Sequence, residues 1–244
     1  MVAVFDIGNT NVHVGLYLDR KLVRKLVYPT YREFLFAKIE SIFSHDKFEG
    51  VAVASVVPHV AKKLVALCKK YKIRPLFISS KLKCGLKYRY HDPATLGADR
   101  IAAVVGALTR FRRDVIVIDA GTAITMDVAR HGGDYLGGII CPGMKILAES
   151  VHGTTAQLPR IKVRKPDNLL GRSTEECIRS GIFNGTIVMV EGLIRVVKKQ
   201  VKGDFFCVAT GGSGKIIAEN VGAIAEYDEN ICLNGALEIY YRNV

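Results

Sequence analysis

Two stretches of this chain repeat one pattern. Residues 4–17 read VFDIGNTNVHVGLY and residues 115–128 read VIVIDAGTAITMDV. Each is an apolar run that ends in Asp, followed by any residue, Gly, and Asn or Thr, and then by a strand with alternating apolar positions. The two acids, Asp6 and Asp119, stand 113 positions apart. A carboxylate at the end of a buried strand is costly unless something compensates it. Repeating that arrangement, with helices and strands alternating around it, predicts two similar α/β halves. We place them at residues 1–109 and 110–244, each a mixed sheet flanked by helices.

The remaining pattern fits this organisation. Strands are expected at 2–6, 11–18, 22–28, 51–55, 75–78, 115–119, 134–141 and 205–209. Helices are expected at 31–44, 59–71, 96–109, 144–151 and 229–241. A further long helix opens at the capping box Ser173-x-x-Glu176, with an apolar stripe running from Ile178 to Val197. Gly181 and Gly185 inside it weaken helix propensity and are read as allowing close packing. Residues 153–172 carry no regular pattern.

Composition narrows the function classes. With 49% hydrophobic residues the chain can build a sizeable core. Asp6 interrupts the apolar start, unlike a signal peptide, and no apolar stretch approaches the roughly 18 residues of a membrane span. A cytoplasmic location without membrane contact is expected. Six dispersed cysteines form no CxxC or Cys/His cluster, which argues against zinc. The formal charge of +12 is spread in short basic clusters without interleaved aromatics. It reads as solvated faces that steer small anions rather than as a nucleic-acid platform.

The two Asp-turn hairpins carry the first chemical signal. Backbone N–H groups of a tight Gly turn can converge on an anion, and glycine lets phosphate approach closely. Asn9, Thr10, Thr122 and Thr125 add neutral donors. Asp6 and Asp119 would repel phosphate unless a cation lay between, so the set suits a metal–nucleotide site. Two ordinary hairpins with Asx-type turns remain the alternative. In GADR, residues 97–100, Asp99 is a candidate general base and Arg100 an anion clamp, although an acid there also caps a helix. TGGSGK at 210–215 resembles a nucleotide loop but lacks the Walker A spacing. His13 faces the Asn11 side of its strand, within reach of a ligand.

In order along the chain stand DIGNTN (6–11), GADR (97–100), DAGTAIT (119–125), GGIICPG (137–143), TAQLP (155–159) and GRST (171–174). With these motifs the chain resembles the type III pantothenate kinases of the actin/Hsp70/sugar-kinase superfamily over nearly its whole length. The resemblance implies two ribonuclease H-like halves with ATP between them. It implies transfer of the γ-phosphoryl group of ATP to the primary hydroxyl of pantothenate, the first step of coenzyme A synthesis. By position, Asp6, Ile7, Gly8, Asn9, Thr10, Asn11, Val12 and His13 correspond to the first phosphate loop, and Asp6 to the organiser of Mg²⁺ through water. Thr122 corresponds to a further ATP contact, and Asp119 to a ligand of a monovalent cation, K⁺ or NH₄⁺. Asp99 corresponds to the catalytic proton acceptor, and Tyr90, Gly97, Ala98, Asp99, Arg100 and Thr174 to the pantothenate site. A homodimer built on the helix that begins at Thr174 is also implied. The competing readings are a kinase for another hydroxyl or carboxyl acceptor, a nucleic-acid-binding transcriptional regulator, and an ATP-binding module without catalysis.

Overall fold

The apolar run Val2–Ile7 forms β1, with Val2, Ala3, Val4 and Phe5 fully buried. In the computed structural model, which describes all 244 residues, β1 pairs antiparallel with β2 (Asn11–Leu18) and parallel with β4 (Gly50–Ser55). β3 (Lys21–Pro29) and β5 (Pro75–Phe77) extend the sheet to the order β3-β2-β1-β4-β5. One face carries α1 (Leu35–His45) and α2 (Pro58–Lys70), through Leu35, Ile39, Ile42, Phe43, Val60, Leu64 and Cys68. Burial pushes the Cys68 thiol up to about 11. On α2 the lysines 62, 63, 69 and 70 are exposed, as solvated faces require. α1 starts at Leu35 rather than at residue 31, because residues 31–34 form a turn.

The second sheet has the order β11-β10-β7-β8-β9-β6. Here β6 is Lys87–Tyr88, β7 Val115–Ala120, β8 Ala123–Ala129, β9 Asp134–Pro142, β10 Phe206–Thr210 and β11 Glu226–Tyr227. β10 is parallel to both β7 and β11, as β4 is to β1 and β5. So β9-β8-β7-β10-β11 repeats β3-β2-β1-β4-β5, and β6 is an addition at one edge. The repeat seen in the hairpins is a repeat of whole sheets. Strands β6 and β11, of two residues each, were not expected, being too short to show a period.

The remaining helices are α3 (Ala98–Phe111), α4 (Met144–Gly153), α5 (Thr174–Val201), α6 (Gly214–Ala218) and α7 (Ile231–Tyr241). The chain packs as two units, Met1–Arg112 with Ala129–Gly137 and Asn230–Val244, and Arg113–Val128 with Gly138–Glu229. The first division falls near the expected boundary at 109/110, but the units are not contiguous in sequence. The physical reason is α7, which packs on α3, β1 and β4 of the first unit. At the crossing of α3 and α7, a Cβ on Gly106 would lie 2.1 Å from the carbonyl oxygen of Ile231. One on Gly235 would lie 1.8 Å from that of Ala102, so only hydrogen fits at either position. Tyr17, on the far part of β2, is buried as well and donates to Asn234 Oδ1 on α7 at 2.8 Å. The simple in–out alternation expected for β2 therefore ends at Gly15.

Helix α5 corrects two expectations. Gly181 and Gly185 do not serve packing within the chain, because nothing lies within 4 Å of where their Cβ atoms would be. They face outward, while Arg179, Ser180, Ile182, Phe183, Thr186, Val190, Ile194 and Val197 are buried. The helix also contains an 18-residue window of mean hydropathy 1.4, long and apolar enough for a bilayer span. No such stretch was expected, since Glu191 and Arg195 break it locally and only the average reaches that value. Helices packed in cores and interfaces reach the same values.

Candidate active site

The first Asp-turn hairpin joins β1 to β2. Asp6 stands directly opposite His13 in the register, and Ile7 opposite Val12. The N–H of Gly8 donates to the carbonyl of Asn11 at 3.0 Å and closes the turn. Asn9 and Thr10 at its tip are exposed. Thr30, just after β3 and itself buried, pins this turn from the side. Its hydroxyl donates to the carbonyl of Gly8 at 2.7 Å, and its N–H to the carbonyl of Thr10 at 3.0 Å. Sequence reading missed Thr30, which stands 22 positions from Gly8 and is brought there by pairing of β3 with β2.

The second hairpin joins β7 to β8 and is one residue tighter. The N–H of Gly121 donates to the carbonyl of Ala123 at 2.9 Å. Gly143, in GGIICPG, donates its N–H to the carbonyl of Thr122 at 3.1 Å. The TGGSGK segment packs on the same turn. Gly211, at φ +84°, lies where a Cβ would come within 2.3 Å of Asp119 Oδ1 and 2.8 Å of the Ala120 backbone. The N–H of Ser213 donates to the carbonyl of Ala120 at 2.8 Å. So TGG buttresses the Asp119 turn, and Gly214 and Lys215 already belong to α6. Tyr227 hydrogen-bonds the Gly211 carbonyl at 3.4 Å. Burial raises its pKa, and the charges of Glu229, Asp228 and Asp119 raise it further. The hydroxyl of Thr125, on β8, is buried with no hydrogen-bond partner.

GADR forms the start of α3, with Gly97 as N-cap and Asp99 in the first turn. Asp99 is half-buried, and its Oδ1 accepts the backbone N–H of Arg100 at 2.8 Å. A Cβ on Gly97 would lie 2.4 Å from that oxygen, so glycine leaves the carboxylate its place. Arg100 is only 7% exposed, and its Nη2 donates to the Tyr135 hydroxyl at 3.0 Å. Tyr90 meets the Tyr135 ring edge-on, with centroids 6.0 Å apart. The first unit thus brings Tyr90 and Arg100 together on Tyr135, a residue that sequence reading did not single out. Its aromatic type and strand position look like any core residue's.

Thr174 belongs to the second unit, exposed at the first position of α5. Ser173 caps that helix by accepting the N–H of Glu176 at 3.3 Å. The Glu176 carboxylate accepts the N–H of Arg172 at 2.7 Å, one residue before the reciprocal partner of the usual capping box.

Nothing in the chain groups three or more His, Cys, Asp or Glu side chains as a metal cage. The donor set suits Mg²⁺, which keeps most of its waters and takes one or two carboxylates plus substrate phosphates. Asp6 at the end of β1 is such a carboxylate. The unpartnered Thr125 hydroxyl and the turn carbonyls near Asp119 are oxygen donors of the kind a monovalent cation takes.

The type III pantothenate kinase family matches residues 2–196. A type III pantothenate kinase of Syntrophotalea carbinolica is 35% identical over 253 aligned positions, covering 100% of this chain and 99% of its own length. Among solved structures, a Baf family protein from Campylobacter jejuni, described as a transcriptional activator, superposes with a TM-score of 0.63 at 22% identity. That match covers 98% of this chain and 97% of the other. Component A of the (R)-2-hydroxyglutaryl-CoA dehydratase of Acidaminococcus fermentans gives a TM-score of 0.55 at 13% identity, covering 98% and 96%. At such identities the two structures speak to fold alone, that of the actin-like ATPases with duplicated halves. The match along 195 of the 244 residues, together with the full-length relative, shows that the chain belongs to the type III pantothenate kinase family.

Proposed function

We infer that this protein is the kinase that transfers the γ-phosphoryl group of ATP to the primary hydroxyl of pantothenate, opening coenzyme A synthesis. Family membership over the whole length carries the reaction. The observation that carries the mechanism is the pair of Asp-x-Gly turns, Asp6–Gly8 and Asp119–Gly121, at equivalent ends of two sheets of the same topology.

Phosphoryl transfer asks a protein for positioning and charge neutralisation more than for covalent chemistry. Residues Asp6 to His13 form the first phosphate cradle, with its backbone held by Thr30. Asp6 would hold the nucleotide's Mg²⁺, which would supply charge neutralisation on the phosphates. Thr122 contacts ATP, and Asp119 ligates K⁺ or NH₄⁺. Asp99 orients the pantothenate hydroxyl and accepts its proton as the new O–P bond forms, and ADP departs with the bond electrons. The carboxylate is aimed by Gly97 and the Arg100 N–H, so little reorganisation is needed. Tyr90, Gly97, Ala98, Arg100 and Thr174 hold pantothenate. The excess of positive charge favours encounter with two anionic substrates. The enzyme works in the cytoplasm.

A coupled assay for ADP release tests the reaction. ATP and pantothenate together should give turnover, and either alone should not. Replacing K⁺ by Na⁺ at equal ionic strength should lower the rate severalfold. Indifference to that exchange removes the cation from Asp119 without touching the kinase reading.

A homodimer on α5 completes the proposal. Gly181, Gly185, Val188, Gly192 and Val196 recur every three or four residues along one outward side. None of the three glycines has an atom within 4 Å of its Cβ position, while Val188 is 67% exposed and Val196 58%. Small residues let two helices approach closely, and the exposed valines then have apolar partners. Val188→Glu should convert a dimer of about twice 26.8 kDa into a monomer by sedimentation. An unchanged dimer would place the interface elsewhere.

A further inference from the structure

Tyr135 takes no part in the reaction proposed above, yet it joins two parts of the acceptor site. It sits on β9 with none of its surface exposed. Its hydroxyl accepts Nη2 of Arg100 at 3.0 Å. Its ring contacts Tyr90 on one side, with planes 66° apart, and Tyr88 on another, at a centroid distance of 6.0 Å. The backbone ties the same place together. Tyr88 pairs with Tyr135 in the β6–β9 register, and the N–H of Arg89 donates to the Tyr135 carbonyl at 2.9 Å. Burial raises the Tyr88 phenol, with a lesser contribution from Cys84, so Tyr88 stays a neutral wall of this cluster.

Each contact bears on placement. Tyr90 lies just beyond a two-residue strand, outside regular structure, and has no ladder of its own to hold it. Arg100 has a long, rotatable side chain, and a buried guanidinium needs acceptors to fix its plane. The Tyr135 hydroxyl is one such acceptor. One buried side chain thus constrains a residue of α3 and a residue of the β6 segment at once.

We propose that Tyr135 is a positioning residue for pantothenate: it holds the Arg100 guanidinium and the Tyr90 ring in the one relative placement that accepts the substrate. The proposal rests on the reading of Tyr90 and Arg100 as acceptor contacts. Tyr135→Phe keeps the ring and removes the hydroxyl. It should raise the KM for pantothenate about tenfold, the scale of a lost hydrogen bond to a charged group. It should leave the KM for ATP and kcat within about twofold, since the effect is placed on the pantothenate contacts Arg100 and Tyr90. Calorimetric titration of pantothenate into the resting variant should show the same weakening without turnover. In an Arg100→Ala background the added effect of Tyr135→Phe should shrink below about twofold. A Tyr135→Phe protein that melts earlier but keeps its pantothenate KM and affinity would make the residue a mere brace and overturn the proposal. If Arg100→Ala weakens pantothenate and Tyr135→Phe does not, the acceptor-site reading stands and this inference falls. If Arg100→Ala itself leaves pantothenate binding unchanged, the acceptor-site reading fails first.

Discussion

Asp99→Asn is expected to lower kcat by about 10²–10⁴-fold, the range found when a positioned general base is removed. The substitution is nearly isosteric. An Asn side-chain oxygen can still accept the Arg100 N–H that the carboxylate accepts at 2.8 Å, so the first turn of α3 keeps its hydrogen bond. Asn cannot take a proton at neutral pH. The loss should therefore fall on kcat, with the KM values for ATP and pantothenate changed only modestly, because binding and transition-state interactions are separable in this way. An unchanged melting temperature with near-normal turnover would remove Asp99 as the base. The charge on Asp99 also favours the α3 N-terminus, but that contribution is on the order of 0.3–1 kcal/mol, too small to unfold the protein.

Gly235→Val is the substitution expected to damage the fold most. Even the first atom it adds, the Cβ, would stand 1.8 Å from the carbonyl oxygen of Ala102 and 2.6 Å from the N of Gly106. Both are backbone atoms of α3 and cannot rotate away. The helices must separate, which opens voids along a buried face containing Ile101, Val105, Ile231 and Ile239. Overpacking costs about 1–3 kcal/mol in ordinary cores, and a backbone-to-backbone crossing belongs at or above the top of that range. About 3 kcal/mol corresponds to a fall in Tm of roughly 6–12 °C for a chain of this size. Activity should fall too, since α3 carries Gly97, Asp99 and Arg100 at its start. Thermal melts and the coupled assay measure both. A variant that melts like the parent would mean that α3 and α7 do not cross this closely in solution.

Periodicity and turn chemistry made most elements legible. The acid-turn hairpins, the capping box at Ser173 and the helix after GADR each depend on residues within about one turn of each other, and local sequence carries such signals. The two-residue strands β6 and β11 carried none, because their existence depends on partners in β9 and β10. The outward direction of Gly181 and Gly185 was equally hidden. A glycine in a helix looks the same in sequence whether it faces a neighbour or open space.

The candidate site residues divide along the same line. Asp6, Asp119 and Asp99 stood out because each is a charged residue at a break in an apolar pattern, which is expensive and therefore informative. Thr30, Tyr227 and Tyr135 did not, since each looks like an ordinary turn or core residue until the tertiary fold brings it beside a loop. The sequence by itself determined the two-halved α/β plan and the candidate acids, whose signals are local. Tertiary structure decided that the C-terminal helix closes the first unit, that TGG leans on the Asp119 turn, and that Tyr135 stands behind Arg100 and Tyr90. Those contacts join distant residues, 217 positions apart in the case of Tyr17 and Asn234, and no short-range pattern encodes them.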